Sequence, residues 1–220
     1  MVLSVIELIN KLRGLVLRKR GLVLLAAFSI LAFLGMASEV LEHESIYGDA
    51  EILRFAHAHS TRLLDAFALV VTQGGSGNVL VPVDLAVFGY LLSQKRRTGA
   101  LFWTASVTGA SVLNLLAKQF FERSRPGLWL SIAPEPTFSF PSGHAMNSLA
   151  AAGAILVLTW DSTERVKIAV GLSCFVLLVG ISRVYLGVHF PSDVIAGWAS
   201  SALWITLVAI FFRKERLATS

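Results

Sequence analysis

Three stretches of the chain carry no charged side chain at all: Gly21–Ser38, Gly99–Ala117 and Val194–Phe212, each of 18 or 19 residues. Coiled as helix at about 1.5 Å per residue, each reaches across most of the roughly 30 Å of a bilayer's hydrocarbon core. Hydrocarbon supplies no partner for a backbone N–H or C=O, so runs of this kind cross it as helices. The expected fold class is therefore all-α, a polytopic membrane protein. Composition points the same way, with 55% hydrophobic and 15% charged residues against about half and a quarter in soluble domains. A soluble enzyme is excluded. The one cysteine, Cys174, lies in an apolar run, so neither an internal disulfide nor a cysteine zinc site is available.

The organisation follows from where the apolar runs stop. Val2, Val5, Ile6, Ile9, Leu12 and Val16 recur at helical spacing and end in Arg18-Lys19-Arg20, which predicts a helix lying in the interface over residues 1–20. The first span is expected at 21–40. Gly35-Met36-Ala37 only loosely imitates a cleavage site, and no cleavage is expected. An acidic stretch with His43, His57 and His59 follows, read as a loop with a short surface helix. Residues 62–94 are too long for one span and are interrupted by Thr72-Gln73-Gly74-Gly75-Ser76-Gly77. Glycine disfavours helix, so an interfacial or re-entrant helix should precede the break and a span of 77–94 should follow it. Further spans are expected at 99–122, 145–161, 166–186 and 193–213. The stretch from Ser124 to Pro141 holds four of the six prolines and should be irregular. Residues 1–220 thus form a single membrane-embedded domain with six transmembrane helices.

Charge sets the expected orientation. Thirteen of the nineteen Lys and Arg residues flank the first span's N-terminal side, the 95–97 and 165–167 turns and the C-terminal end. By the positive-inside rule both termini are cytoplasmic in a cell (plasma) membrane. The six remaining cations, Arg54, Arg62, Lys118, Arg123, Arg125 and Arg183, then face outward. The net charge of +5 sits beside apolar runs instead of on a solvated stripe, so no nucleic-acid partner is expected; membrane lipids are the partners.

Lys118, Arg123, Arg125 and Arg183 cluster at the ends of two spans, where charge near hydrocarbon is costly unless an anion balances it. Lys118 and Arg125 are two helical turns apart and share a face if the helix continues to Arg125; Pro126 then stops it. Ser142 is a natural N-cap before the apolar run from Ala145, and the free amides of Gly143 and His144 form an anion site at that helix start. His189 precedes Asp193 by four residues, and a carboxylate beside an imidazole fixes its tautomer and raises its basicity. Three cations, helix-end amides, two histidines and an orienting carboxylate describe phosphoryl transfer with no metal and no cofactor. His189, backed by Asp193, would attack phosphorus, and His144 would protonate the leaving oxygen.

Lys118-x6-Arg125-Pro126, Pro141-Ser142-Gly143-His144 and Ser182-Arg183-x5-His189-x3-Asp193 resemble the three-part signature of the type 2 phosphatidic acid phosphatase superfamily. The resemblance covers residues 99 to 213. It implies phosphate binding by Lys118, Arg125, Ser142, Gly143 and Arg183, acid catalysis by His144, nucleophilic attack by His189 and orientation by Asp193. It also implies a bacterial type of integral-membrane lipid phosphatase whose substrate is a lipid phosphate: phosphatidylglycerol phosphate, or else undecaprenyl diphosphate or phosphatidic acid. A phospholipid-binding or transport protein using the same cations is the non-enzymatic alternative, although binding alone has no need of two histidines and a carboxylate.

Other residues have plainer readings. His43, His57 and His59 read as solvated loop residues. Glu122, between Lys118 and Arg125, is expected to temper their charge. Asp84 lies inside a predicted span, where a carboxylate is either functional or paired; both readings stand open. The five tryptophans read as packing and interfacial anchors, and the Gly74–Gly77 break as a hinge that lets the preceding helix act as a lateral gate.

Overall fold

The computed structural model describes residues 2–42, 46 and 48–213, with side chains for 20–42, 46 and 48–212. His43, and the cations before Arg20 and after Phe212 that enter the orientation argument, fall outside the described side chains. Among the described residues eight helices follow one another: α1 (Val2–Leu41), α2 (Asp49–Ala58), α3 (Arg62–Gln73), α4 (Gly77–Ser93), α5 (Arg97–Phe121), α6 (Gly143–Leu158), α7 (Arg165–Tyr185) and α8 (Pro191–Arg213). Among the described residues there is no strand. Four segments are long and apolar enough to cross a membrane as single helices, Arg20–Leu41, Arg97–Phe121, Arg165–Tyr185 and Pro191–Phe212, and the broken segment Arg62–Ser93 is a fifth. Helix α6 is equally apolar but has only 16 residues, about 24 Å of helix.

Two boundaries differ from the sequence reading in an informative way. The amphipathic stretch 2–20 and the first span join without a break in the 40-residue α1, because no glycine pair or proline interrupts the hydrogen-bond ladder between them. Helix α5 stops at Phe121, where Glu122 takes a left-handed conformation at φ 45°. The helix therefore does not continue to Arg125, and the shared-face argument for Lys118 and Arg125 fails; a loop brings them together instead.

The bundle is centred on α6, which packs against α5, α7 and α8, while α1 leans on α8 and α4 reaches the rest chiefly through α5. Lipid tails are as apolar as leucine, so close backbone approach has to supply the association that the hydrophobic effect supplies in water. Helix α6 is built for this: Ala145, Ala150, Ala151, Ala152 and Ala154 are all buried. Helix α3 lies against α7, pinned where the Tyr185 hydroxyl donates to Asp65 at 2.6 Å and Ala68 packs on Leu186 and Val188.

The closest approach that matters for the site is between α8 and the start of α6. A Cβ added to Gly197 would lie 2.7 Å from the carbonyl oxygen of Ser142, a backbone atom with no room to yield. Gly197→Ala should therefore destabilise the protein by about 1–3 kcal/mol, seen as a lower thermal midpoint in detergent. Gly77→Ala, with nothing within 4 Å of its added carbon, should leave the midpoint unchanged or raise it.

Candidate active site

Lys118 leaves the last turn of α5, and the chain then reverses through Glu122 into a proline-rich loop. That loop returns as Thr137-Phe138, and this short segment gathers the two cations. Lys118 Nζ donates to Thr137 Oγ1 at 3.3 Å and to the carbonyl of Phe138. Arg125 donates from Nε to the carbonyl of Thr137 at 2.6 Å and from its terminal nitrogens to Thr137 Oγ1 and the Phe138 carbonyl. A further donation, 2.7 Å to the carbonyl of Val188, ties the same guanidinium to the turn that carries His189. Burial depresses the pKa of Arg125, with the charges of Glu135 and Asp193 opposing the shift.

His189 sits in the turn between α7 and α8 with 1% of its surface exposed. Its Nδ1 lies 3.3 Å from Asp193 Oδ2, and its Nε2 lies 3.2 Å from a terminal nitrogen of Arg125. An ionised carboxylate only accepts and a guanidinium only donates, so the two neighbours select one tautomer: Nδ1 carries the proton and Nε2 presents its lone pair. Burial pushes the imidazole pKa down to about 3, against the hydrogen bond and charge of Asp193. The ring is neutral at physiological pH.

Asp193 is held on every side. Oδ2 accepts from Ser139 Oγ at 2.5 Å and from the Phe190 amide at 2.9 Å, while Oδ1 pairs with Arg123 at 2.5 Å. Arg123 also pairs with Asp49, at the first turn of α2, at 3.0 Å. Asp49 in turn accepts from the amide and hydroxyl of Ser192 at 3.0 and 2.5 Å. The chain His189–Asp193–Arg123–Asp49 thus locks the α8 N-terminus to α2 and to the loop.

On the other side of the site, α6 begins at Gly143 with Ser142 as its N-cap residue. The Ser142 amide donates to the carbonyl of Asp193 at 3.0 Å, fixing the α6 start against α8. The Ser142 hydroxyl oxygen is buried and, among the described residues, has no hydrogen-bond partner. The same holds for Nε of Arg183, whose terminal nitrogens bind Thr72 at 2.7 Å and Glu135 at 2.5 Å. Buried polar atoms are ordinarily satisfied, so two orphans beside a helix N-terminus mark a place built for an anion. His144 is within electrostatic reach of Arg183, His189, Arg125 and Lys118, so these three cations and both imidazoles share one electrostatic neighbourhood. Gly75 closes over it: an added Cβ would stand 2.5 Å from Val179 and 3.4 Å from the His144 side chain.

The sequence pattern of the PAP2 superfamily matches residues 99–217. The chain belongs to the PAP2 superfamily. It is 31% identical over 149 residues to phosphatidylglycerophosphatase B of Bacillus subtilis, covering 66% of this chain and 73% of that protein. To an undecaprenyl-diphosphatase of Sulfolobus acidocaldarius it is 27% identical over 172 residues, covering 76% and 79%. The crystal structure of a transmembrane PAP2-type phosphatidylglycerolphosphate phosphatase from B. subtilis superposes with a TM-score of 0.78 at 28% identity, over 87% of this chain and 97% of that one. The protein is a multi-pass membrane phosphatase of this superfamily.

The structure brings together the residues read from the three motifs, Lys118, Arg125, Ser142, Gly143, His144, Arg183, His189 and Asp193, at one end of the bundle. Glu122 is not among them: it is exposed and forms no ion pair among the described residues, and Glu135 supplies the carboxylate expected of it. His57 and His59 are exposed, one stacked on Trp129 and the other bonded to the carbonyl of Phe55. Asp84 is half-buried, and among the described residues one of its carboxylate oxygens lacks a partner. Sequence reasoning missed Asp49, Glu135 and Ser139, and left Arg123 without a task. Arg123→Gln would strand two buried carboxylates, and removing one partner of a buried pair costs about 3–5 kcal/mol. That loss should appear in thermal or denaturant unfolding in detergent, whereas Glu122→Gln should change stability by less than about 0.5 kcal/mol.

Proposed function

We propose that the protein removes the terminal phosphate of a membrane lipid through a phosphohistidine intermediate. The observation that carries the reading is the His189 tautomer, with an unprotonated Nε2 turned toward Arg125 beside unsatisfied Ser142 and Arg183 donors. Lys118, Arg125, Arg183, the Ser142 hydroxyl and the Gly143 and His144 amides hold the phosphate oxygens and take up the charge that grows in the transition state. Nε2 of His189 forms a bond to phosphorus as the bond to the lipid oxygen breaks, and His144, which takes up a proton when the phosphate dianion arrives beside it, gives that oxygen its proton. His144, now neutral, takes a proton from water; the resulting hydroxyl cleaves the P–N bond, releasing inorganic phosphate and restoring His189. Asp193 steadies the imidazole while it is cationic.

Metal independence belongs to the same proposal. The cations fill the role a metal would have, and among the described residues no group of three or more His, Cys, Asp or Glu side chains is arranged to hold a metal ion. Six crossings are inferred by counting α6 as a short span, with both termini cytoplasmic and the site at the outer face of the plasma membrane. A part-open apolar cavity of about 380 Å³ runs along α6, α7 and α8, lined by Leu149, Ala152, Leu156, Leu172, Val176 and Trp198. It supports an amphiphilic substrate, because it begins within two turns of His144 and offers hydrocarbon to a chain.

Phosphatidylglycerol phosphate is the substrate we favour, in keeping with the B. subtilis relative. Undecaprenyl diphosphate is the second reading, supported by the Sulfolobus relative, and phosphatidic acid the third. Comparing kcat/KM for the three lipids in one nanodisc system, with chelator in excess, decides among them; a clear preference for the diphosphate overturns the choice, and dependence on added Mg²⁺ overturns the mechanism.

The histidines separate by leaving group. His189→Ala should abolish turnover on every substrate. His144→Ala should lose on the order of 10²- to 10⁴-fold on a lipid alkoxide but much less on a nitrophenyl phosphate, whose leaving group needs no proton. Equal losses on both substrates would overturn the acid role.

A further inference from the structure

Glu135 stands in the middle of the cations. Its Oε1 lies 2.5 Å from Arg183 and 4.0 Å from His144 Nδ1, and its charge reaches Lys118 and Arg125 as well. The side chain is 28% exposed and sits on the proline-rich loop, and among the described residues its partners are these cationic and imidazole groups alone. The other nearby carboxylate, Asp193, is fully engaged by Arg123, Ser139, the Phe190 amide and His189. Glu135 is the anion with no binding task of its own.

We infer that Glu135 is an internal competitor for the phosphate cradle, so that a terminal phosphate with two charges displaces it while the singly charged phosphodiester headgroups of the surrounding bilayer do not. The inference rests on the cradle proposed above. Cations crowded at the edge of hydrocarbon are costly when unpaired, so a resting site needs a counter-charge. A carboxylate tethered on the same loop has an effective concentration of at least about millimolar. A phosphodiester brings one charge to replace one charge, and gains nothing against a tethered rival. A monoester near neutral pH brings close to two, and the second charge interacts with Lys118, Arg125 and Arg183 together. Phosphodiester lipids are the solvent of this site, so rejecting them matters more here than in a water-soluble phosphatase.

The test uses the full-length protein in detergent, with lipid phosphate hydrolysis inhibited by sulfate, which carries two charges, or methyl sulfate, which carries one. Wild type should be inhibited at least about tenfold more strongly by sulfate. Glu135→Gln should bind both anions more tightly, methyl sulfate by about tenfold or more because the site is no longer occupied, and should become sensitive to added phosphatidylglycerol, with kcat within a few-fold of wild type. An unchanged sulfate to methyl sulfate ratio in Glu135→Gln overturns the inference. So does a loss of kcat without tighter inhibition, which would make Glu135 a positioning residue for Arg183 or His144. Should Glu135→Gln not fold, Glu135→Asp carries the same test, since one methylene less withdraws the carboxylate from Arg183 and should narrow the ratio; an unchanged ratio there overturns the inference equally. Failure of the phosphatase reading looks different, as wild type without hydrolysis, and the two anions can then be compared by calorimetry alone.

Discussion

Four cationic side chains, Lys118, Arg123, Arg125 and Arg183, converge at one end of a bundle whose interior is apolar, and the local structure is organised around neutralising them. The carboxylates that answer them fall into two groups. Asp49 and Asp193 enclose Arg123 and leave it saturated. Glu135 pairs with Arg183 and faces Lys118 and Arg125, which the charge of Asp193 also reaches. One group of charges is closed and structural, and the other is left electropositive and open to a ligand. Buried ion pairs add little net stability because desolvation offsets their attraction, but losing one partner is costly. The closed group therefore serves as a latch whose failure is expensive, and the open group as a site whose stability depends on having an anion in it.

The latch also sets the distance between the two halves of the chemistry. Asp193 orients His189 through its carboxylate and receives the Ser142 amide on its own carbonyl, so one residue positions both the imidazole and the start of α6. Gly197 lets α8 come close enough for that bond to form. Geometry of this sort has to be held to fractions of an ångström for in-line attack, and here it is held by backbone contacts between two helices instead of by a flexible loop.

The helices were legible in the sequence because runs without charge have one structural meaning in a membrane. The clustering of the motif residues was legible because each motif is local: Ser142-Gly143-His144 is three adjacent residues, and His189 and Asp193 are one helical turn apart. The reading failed where contacts are distant. Asp49 meets Ser192 across 143 positions and Arg123 across 74, and no periodicity connects a residue at the start of a surface helix with the N-terminus of α8. Lys118 and Arg125 do come together, but for a different reason from the one their spacing suggested. Helix α5 ends at Phe121, and the carbonyls of Thr137 and Phe138 collect both cations. Glu122 looked like the tempering charge because it lies between them in sequence; after the left-handed turn it points away, and Glu135, ten residues beyond Arg125, takes that position.

The burial of His189 makes the part of Asp193 in the proposed mechanism a demanding one. A ring with 1% of its surface exposed and a pKa near 3 is uncharged before attack, so its lone pair is available without any base to remove a proton. The same burial opposes the cation that forms once Nε2 is bonded to phosphorus, and water is not there to offset it. Among the described residues only Asp193 touches Nδ1 with a full negative charge. If that carboxylate were free to swing toward Lys118 or Arg125, it would compete with the phosphate and desert the imidazole at the step that needs it. Arg123, Ser139 and the Phe190 amide prevent this by occupying its remaining lone pairs. Arg123 withdraws some of the negative charge in doing so, and Asp49 limits the loss by drawing on the same guanidinium from the far side. The two outer members of the chain thus make opposite contributions to the charge that Asp193 presents, and it is their balance that allows a buried imidazole to be neutral before the transfer and cationic after it.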